Sequence, residues 1–381
     1  MNDETTPPTL VECLSDLKDT RKQIGQDHKF IDILVIAVCA VICGADGFTG
    51  MENFGKAKED WLRTFLELPH GIPSHDTFGR VFARIKPREF QHCFLRWVQG
   101  LTRRVAGEIV PIDGKTLRRS HDRRHGLEAI EVVSAWASSH RLTLGQIKVA
   151  ADSNEITAVP ELLRVLALEG CLVTLDAIHT QKKTIAEIVR QGADYVVALK
   201  GNQERLLEAV TELTEAVAQD RTVNVPSETY QTVDGEHGRI ETRRYLQVAA
   251  QDWLPEKEQW SKLRSVGVVE SRREVEGRVS LERRYYLSSL EVGVERFAEA
   301  VRTDWSIENT CHWILDVAFR EDESRVRTGF AAENLGLVRR LALSLLQQER
   351  SLKVGIQIKR LTAGWDHKYL LKVLNGKIAN T

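Results

Sequence analysis

The chain has 381 residues, of which 42% are hydrophobic and 28% charged, the balance of a soluble globular protein with room for two or three domains. Its formal net charge of −1 excludes global basicity, so any contact with nucleic acid has to come from local patches. The six cysteines contain no CxxC pair, which argues against a zinc site and, at this length, against a disulfide framework. They read as buried, reduced thiols.

The first residues are polar and acidic, without the basic start and apolar stretch of a signal peptide. The apolar run from Phe30 to Ala45 carries Asp32 and is shorter than the roughly 20 residues of a membrane span. It reads as a core helix, in a cytoplasmic protein with no membrane contact. Residues 1–105 form a helical N-terminal domain. Ile31 to Cys43 is apolar almost all round, and Met51 to Leu66 is an amphipathic stretch with Phe54, Trp61, Leu62 and Phe65 on one face. Ser74 is a good N-cap for a helix with Phe78, Val81 and Phe82 inward. That helix is either the second helix of a helix-turn-helix, with Arg80 and Arg84 facing DNA, or part of an ordinary hairpin.

From about 106 the period changes. Short strands are expected over Glu108–Ile112, Glu131–Ala137, Leu142–Ala150, Cys171–Leu175 and Tyr195–Leu199, with helices over Val159–Leu168 and Thr184–Arg190. This order describes a mixed α/β sheet, not a pure βαβ alternation. A helix at Gln203–Ala218 opens a strand-rich insertion over about 201–295, with strands at Arg239–Val248, Ser265–Arg272 and Arg278–Leu287. Ser289 to about 323 and Ala331–Glu349 read as helical, and 351–381 as a basic tail.

Two of these strands end on an acid. Ile112 is followed by Asp113-Gly114, and Leu175 by Asp176-Ala177. A third acid, Glu308, stands in a helical pattern. Two strand-end aspartates on one sheet edge and a helix-borne glutamate suit Mg2+ or Mn2+, hard cations that take carboxylate oxygens together with substrate phosphate. Two such ions, about 3.5–4 Å apart, clamp the attacking and leaving oxygens of a phosphoryl displacement. Each acid also has a plainer reading. Asp-Gly after a strand is commonly a turn, and a lone helical glutamate is commonly solvated. Asp304 and Asp316 compete with Glu308 on spacing, and Asp304, Glu308 and His312 share a helical face. The bases after Asp113, namely Lys115, Arg118, Arg119, Arg123 and Arg124, would grip a phosphate backbone or form a solvated loop. Lys182, Lys200 and His179 are further candidates for the same contacts.

Taken together, these residues resemble the DDE transposases of bacterial insertion sequences, within them the ISAs-type group that includes the H-repeat-associated proteins. Eight blocks carry the resemblance in order: GADGF…ENFGKAKEDWL, GIPSHDTFGRVFARI, IDGKTLRRS, LDAIHTQ, ALKGNQ, HGRIETR, YYLSSL and WSIENTCHWILDVAFREDESRVR. The resemblance implies an RNase H-like catalytic domain over 106–350 with Asp113, Asp176 and Glu308 as catalytic, metal-holding triad, and a transposase-associated helical domain before it. It also implies double-stranded DNA partners, the element's terminal inverted repeats and target DNA, and at least a homodimer on DNA. The implied activity is metal-dependent cleavage and strand transfer. A silent DNA-binding remnant and a purely hydrolytic nuclease are the alternatives. One departure stands out. The wider superfamily's Tyr, Arg and Lys places around the glutamate hold Val301, Asp304 and Leu315 here, with Arg302 and Arg320 the nearby bases.

Overall fold

The computed structural model describes residues 9–21, 26–101, 107–121, 128–149, 154–221, 224–236 and 239–375. Six helices come first: α1 (Leu10–Ser15), α2 (Phe30–Ile42), α3 (Phe48–Ala57), α4 (Glu59–Leu62), α5 (His75–Arg84) and α6 (Pro87–Leu101). Then follow β1 (Ile109–Leu117), β2 (Ile130–Ala137), β3 (Leu142–Lys148), α7 (Glu155–Val165), β4 (Leu172–Leu175), α8 (Lys182–Arg190), β5 (Asp194–Leu199) and α9 (Glu204–Ala218). The strands β6 (Ser227–Glu236), β7 (Arg239–Ala249), β8 (Ser265–Val275) and β9 (Arg278–Ser288) precede α10 (Val294–Asp304). The chain closes with α11 (Trp313–Val317), α12 (Ala331–Gln348), α13 (Ile356–Trp365) and α14 (His367–Leu374).

Two units divide the chain. The first is assembled from three segments: residues up to Arg104, Gly114–Ser153, and Glu308 onward. Its axis is α12, buried along nearly its whole length against α2, α5, α6, β3, α13 and α14. The α2 helix is buried because it is apolar on every side; its one acid, Asp32, accepts the Leu68 N–H at 3.0 Å. The α5 helix starts where Ser74 caps the Thr77 N–H, and it buries Phe78, Val81 and Phe82. Met51–Leu66 is not one helix; the chain re-turns at Lys58, between α3 and α4. Nor are residues after 350 a tail. They include α13 and α14, where Lys359 is buried and donates to the Leu346 carbonyl, and Arg360 is buried over Phe319.

Of the two buried arginines of α12, Arg339 and Arg340, the second has a buried acidic partner. Arg340 and Glu321 are both fully buried, with Nη1 and Oε1 3.0 Å apart. Gly336, one turn earlier, leaves them room: a Cβ there would stand 3.3 Å from that nitrogen.

The second unit holds Val105–Asp113 and Asn154–Ile307. Here the first half of β1 pairs parallel with β4, and β4 with β5. The antiparallel run β9, β8, β7, β6 extends from β5. The nine strands follow the order β3-β2-β1-β4-β5-β9-β8-β7-β6, and β1 contributes to both units. This is a mixed sheet, as the order of strand and helix patterns predicts, and of the RNase H-like type that the family resemblance implies. Helix α10 covers the second unit's sheet through Phe297, Ala298 and Val301, which pack among Ile109, Leu172, Val196, Tyr245 and Tyr286. The approach is close at Gly267, where a Cβ would be 2.4 Å from Phe297 Cζ. Strand β6 is the strand that pattern reading misses: its SETYQTVDGE sequence shows little apolar alternation because it is the sheet's edge. Among the described residues no helix is long and apolar enough to cross a membrane.

Candidate active site

Asp113 does not end its strand. The β1 ladder runs on through Gly114, Lys115 and Thr116 to Leu117, so the Asp-Gly pair is no turn. In the second unit Ile112 stands in register with Leu175. Asp113 and Asp176 are therefore the next residues on two adjacent parallel strands, whose backbones lie about 4.8 Å apart. Asp176 is still extended (φ −72°, ψ 171°), so both carboxylates leave the same face of the sheet. Asp176 is exposed and Asp113 half-buried.

A third carboxylate joins that face. Asp304, the last residue of α10, is pushed up to about 6 by burial, with the Asp176 charge adding to the shift; the facing Thr174 hydroxyl and the Arg284 guanidinium pull the other way. Beneath Asp176, His179 is buried, its Nε2 3.7 Å from Asp176 Oδ1 and 3.4 Å from Glu155 Oε2.

In the first unit, Glu308 and His312 do not continue a regular helix from Asp304. Residues Glu308–His312 form a single π-turn, an irregularity that recurs at functional sites. Glu308 is exposed and points Oε2 at Nδ1 of buried His312, 3.3 Å away. Burial, and secondarily the charges of Arg340 and Lys115, lower His312 to about 3, so its ring is neutral at physiological pH. Both offer ligand atoms to an ion from within one turn.

The bases sort differently from expectation. Lys115 is buried, and its Nζ lies 2.6 Å from both oxygens of Asp316; it is an anchor for that acid, whose own affinity for a proton is raised by burial against the opposing pull of Lys115. Burial likewise removes His179 from any phosphate. Lys182 is held by Glu256 and by Gln259. Arg118 is exposed and bonds Asp322 at 3.2 Å; Arg119, Lys200, Arg80 and Arg84 are exposed. Arg123 and Arg124 lie outside the described residues. The pairings of Glu155 with His179 and of Asp316 with Lys115 carry no sequence signal, because nothing local links residues so far apart in the chain.

An RNase H-like sheet with paired acids at adjoining central strands defines a class of proteins that process nucleic acids. The chain belongs to the DDE transposase family: the model described as "Transposase DDE domain" matches residues 106–345, and the one described as "DDE_Tnp_1-associated" matches 11–98. It is 38% identical over 373 residues to the Escherichia coli K12 protein named "H repeat-associated putative transposase YhhI", covering 96% of this chain and 98% of that one. A Xanthobacter autotrophicus protein named "Uncharacterized protein in dhlA 3'region" is 44% identical over 69% of this chain and 88% of its own. The shorter "Inactive transposase YbfQ" of Escherichia coli K12 is 40% identical over 20% of this chain.

Proposed function

We propose that this chain cleaves DNA at the ends of its own element and joins the freed end to target DNA. The observation that carries the reading is the placing of Asp113 and Asp176 side by side on one face of adjacent parallel strands. With Glu308, assigned through the family resemblance, they make an all-oxygen donor set suited to Mg2+ or Mn2+. When bound, the cation supplies Lewis-acid activation and charge neutralisation at the phosphodiester.

The residues do the rest. Asp113 and Asp176 present their carboxylates from a rigid sheet, so no loop ordering is needed to form their half of the site. His312, neutral, fixes the direction of the Glu308 carboxylate. Arg118, Arg119 and Lys200 hold the backbone; Lys115 and His179 are left out of that set because they are buried. Water attacks phosphorus, the P–O3′ bond breaks, and the proton ends on the released 3′ oxygen. That hydroxyl then attacks a target phosphodiester in the same way, forming one P–O bond and breaking another. Pairing two element ends calls for at least two copies on DNA.

The test joins binding and chemistry. Asp113→Asn and Asp176→Asn should each abolish nicking of a terminal-repeat duplex and weaken Mn2+ binding measured by titration calorimetry, while folding is kept. Undiminished cleavage by Asp113→Asn ends the assignment. Cleavage without a strand-transfer product makes the chain a nuclease of the same core, and duplex binding without either product makes it a silent remnant.

A further inference from the structure

The first unit carries a cleft of about 990 Å³ that none of these acids lines, walled by α5 on one side and by residues 323–328 on the other. Five arginines line it: Arg80, Arg84, Arg320, Arg325 and Arg327. Arg320 is already engaged, by Glu323 and by Asp46 at 3.8 Å. Among the described residues, Arg80, Arg84 and Arg325 have no acidic partner, and Arg80 bonds only the Thr77 hydroxyl at 3.3 Å. Arg80 and Arg84 are one helical turn apart, a like-charge spacing that destabilises a helix, and Arg325 adds a third positive charge across the cleft.

The walls are built, not incidental. The Phe330 N–H donates to the Ala83 carbonyl at 3.1 Å. Gly329 (φ +53°) sits so close that a Cβ would be 2.5 Å from that same oxygen. Asn334 Nδ2 donates to the carbonyls of Phe82 (2.8 Å) and Ile85 (2.9 Å), tying the end of α5 to α12. The walls are thus fixed by packing; Asp46, Asp76 and Glu323 also line the cleft, the first and last paired with Arg320, while Arg80, Arg84 and Arg325 stand exposed on it with no ion pair of their own among the described residues.

We infer that this cleft binds the phosphate backbone of duplex DNA without reading its sequence, Arg80, Arg84 and Arg325 each taking a phosphate. Guanidinium forks match phosphate oxygens, and α5 thereby acts as the side of a channel instead of a free recognition helix. The inference rests on the reading of the chain as a DNA-processing enzyme, yet it concerns binding that needs no divalent cation, so its failure is separable from failure of the catalytic assignment.

The experiment measures anisotropy of a labelled random-sequence duplex in EDTA over a salt series, with the full chain. R80Q/R84Q/R325Q should flatten the slope of log K against log salt by about 2–3, near one for each phosphate no longer neutralised by a guanidinium. R80K/R84K/R325K should restore most of it. R264Q/R272Q/R278Q, which removes equal charge from exposed strand and loop positions elsewhere, should leave the slope within about 1 of the parent. Circular dichroism checks folding, and if the triple variant is unfolded the three single variants are each read for a change of about 1. An unchanged slope, an equal flattening in the R264Q/R272Q/R278Q control, or displacement of duplex by poly-glutamate at matched charge would overturn the inference.

Discussion

Replacing Glu321 with alanine should be among the costliest single changes in the first unit. The carboxylate and the Arg340 guanidinium are both fully buried at 3.0 Å. The gross attraction of such a pair is about 5 kcal/mol at an effective dielectric of about 20, and much of it offsets desolvation. Removal of one partner is different, because the other stays buried and charged. Arg340 would keep only neutral partners, the Gly336 carbonyl and the Ser134 hydroxyl, each at 3.2 Å. The expected loss is about 3–5 kcal/mol for Glu321→Ala, and similar for Arg340→Met. The double variant Glu321→Leu/Arg340→Met should recover the part of the loss that belongs to Arg340, since an apolar pair of similar volume strands neither partner, while buried Arg339, which also feels the Glu321 charge, keeps Asp46. Urea denaturation followed by tryptophan fluorescence reads all three. A loss below about 1 kcal/mol for Glu321→Ala would mean that water reaches the pair, and would refute the account of α12 as a dry, charge-matched axis.

Two further outcomes follow from the packing. Glu333 at the start of α12 is raised to about 7 by burial, against the pull of Lys148 and Arg88. Its folded-state proton is held more tightly than the unfolded one, so stability is greatest below the unfolded pKa of about 4.5 and declines as pH rises to about 7. Glu333→Gln should flatten that decline and stabilise the protein at about pH 8, by at most ~3 kcal/mol and by less where solvent screens the group; a pH-stability curve parallel to the parent's would contradict it. Gly267→Ala should cost about 1–3 kcal/mol through collision with Phe297, measured as a lower urea midpoint at unchanged slope, and Phe297→Leu in the same chain should relieve part of the loss.

Much of this fold is legible from period alone. Strands β2 to β5 and helices α8 and α9 follow apolar runs that fall within a residue or two of the observed bounds, because those elements are buried on one or both faces; α7 starts four residues before its expected start and ends three before its expected end. The failures share a cause. β1 continues past Asp113 because Lys115 is buried against Asp316, a pairing across 201 residues of sequence that a local window cannot see. β6 is an exposed edge and needs no apolar alternation. The bases after 350 read as a tail because Lys359 and Arg360 find their partners in α12, α2 and the segment after α11. At the site, the strand-borne acids are readable from their runs. The end of α10 at Asp304 and the π-turn that begins at Glu308 are not, since their composition is that of an ordinary helix, and this is why spacing left Asp304 and Glu308 as rivals.

The three-segment make-up of the first unit sets a rule for damaged gene copies. Helices α2 and α5 bury their apolar sides on α12, which is translated some 250 residues later. A premature stop anywhere between residues 154 and 330 leaves those sides bare, and the shortened product should be cleared by proteolysis.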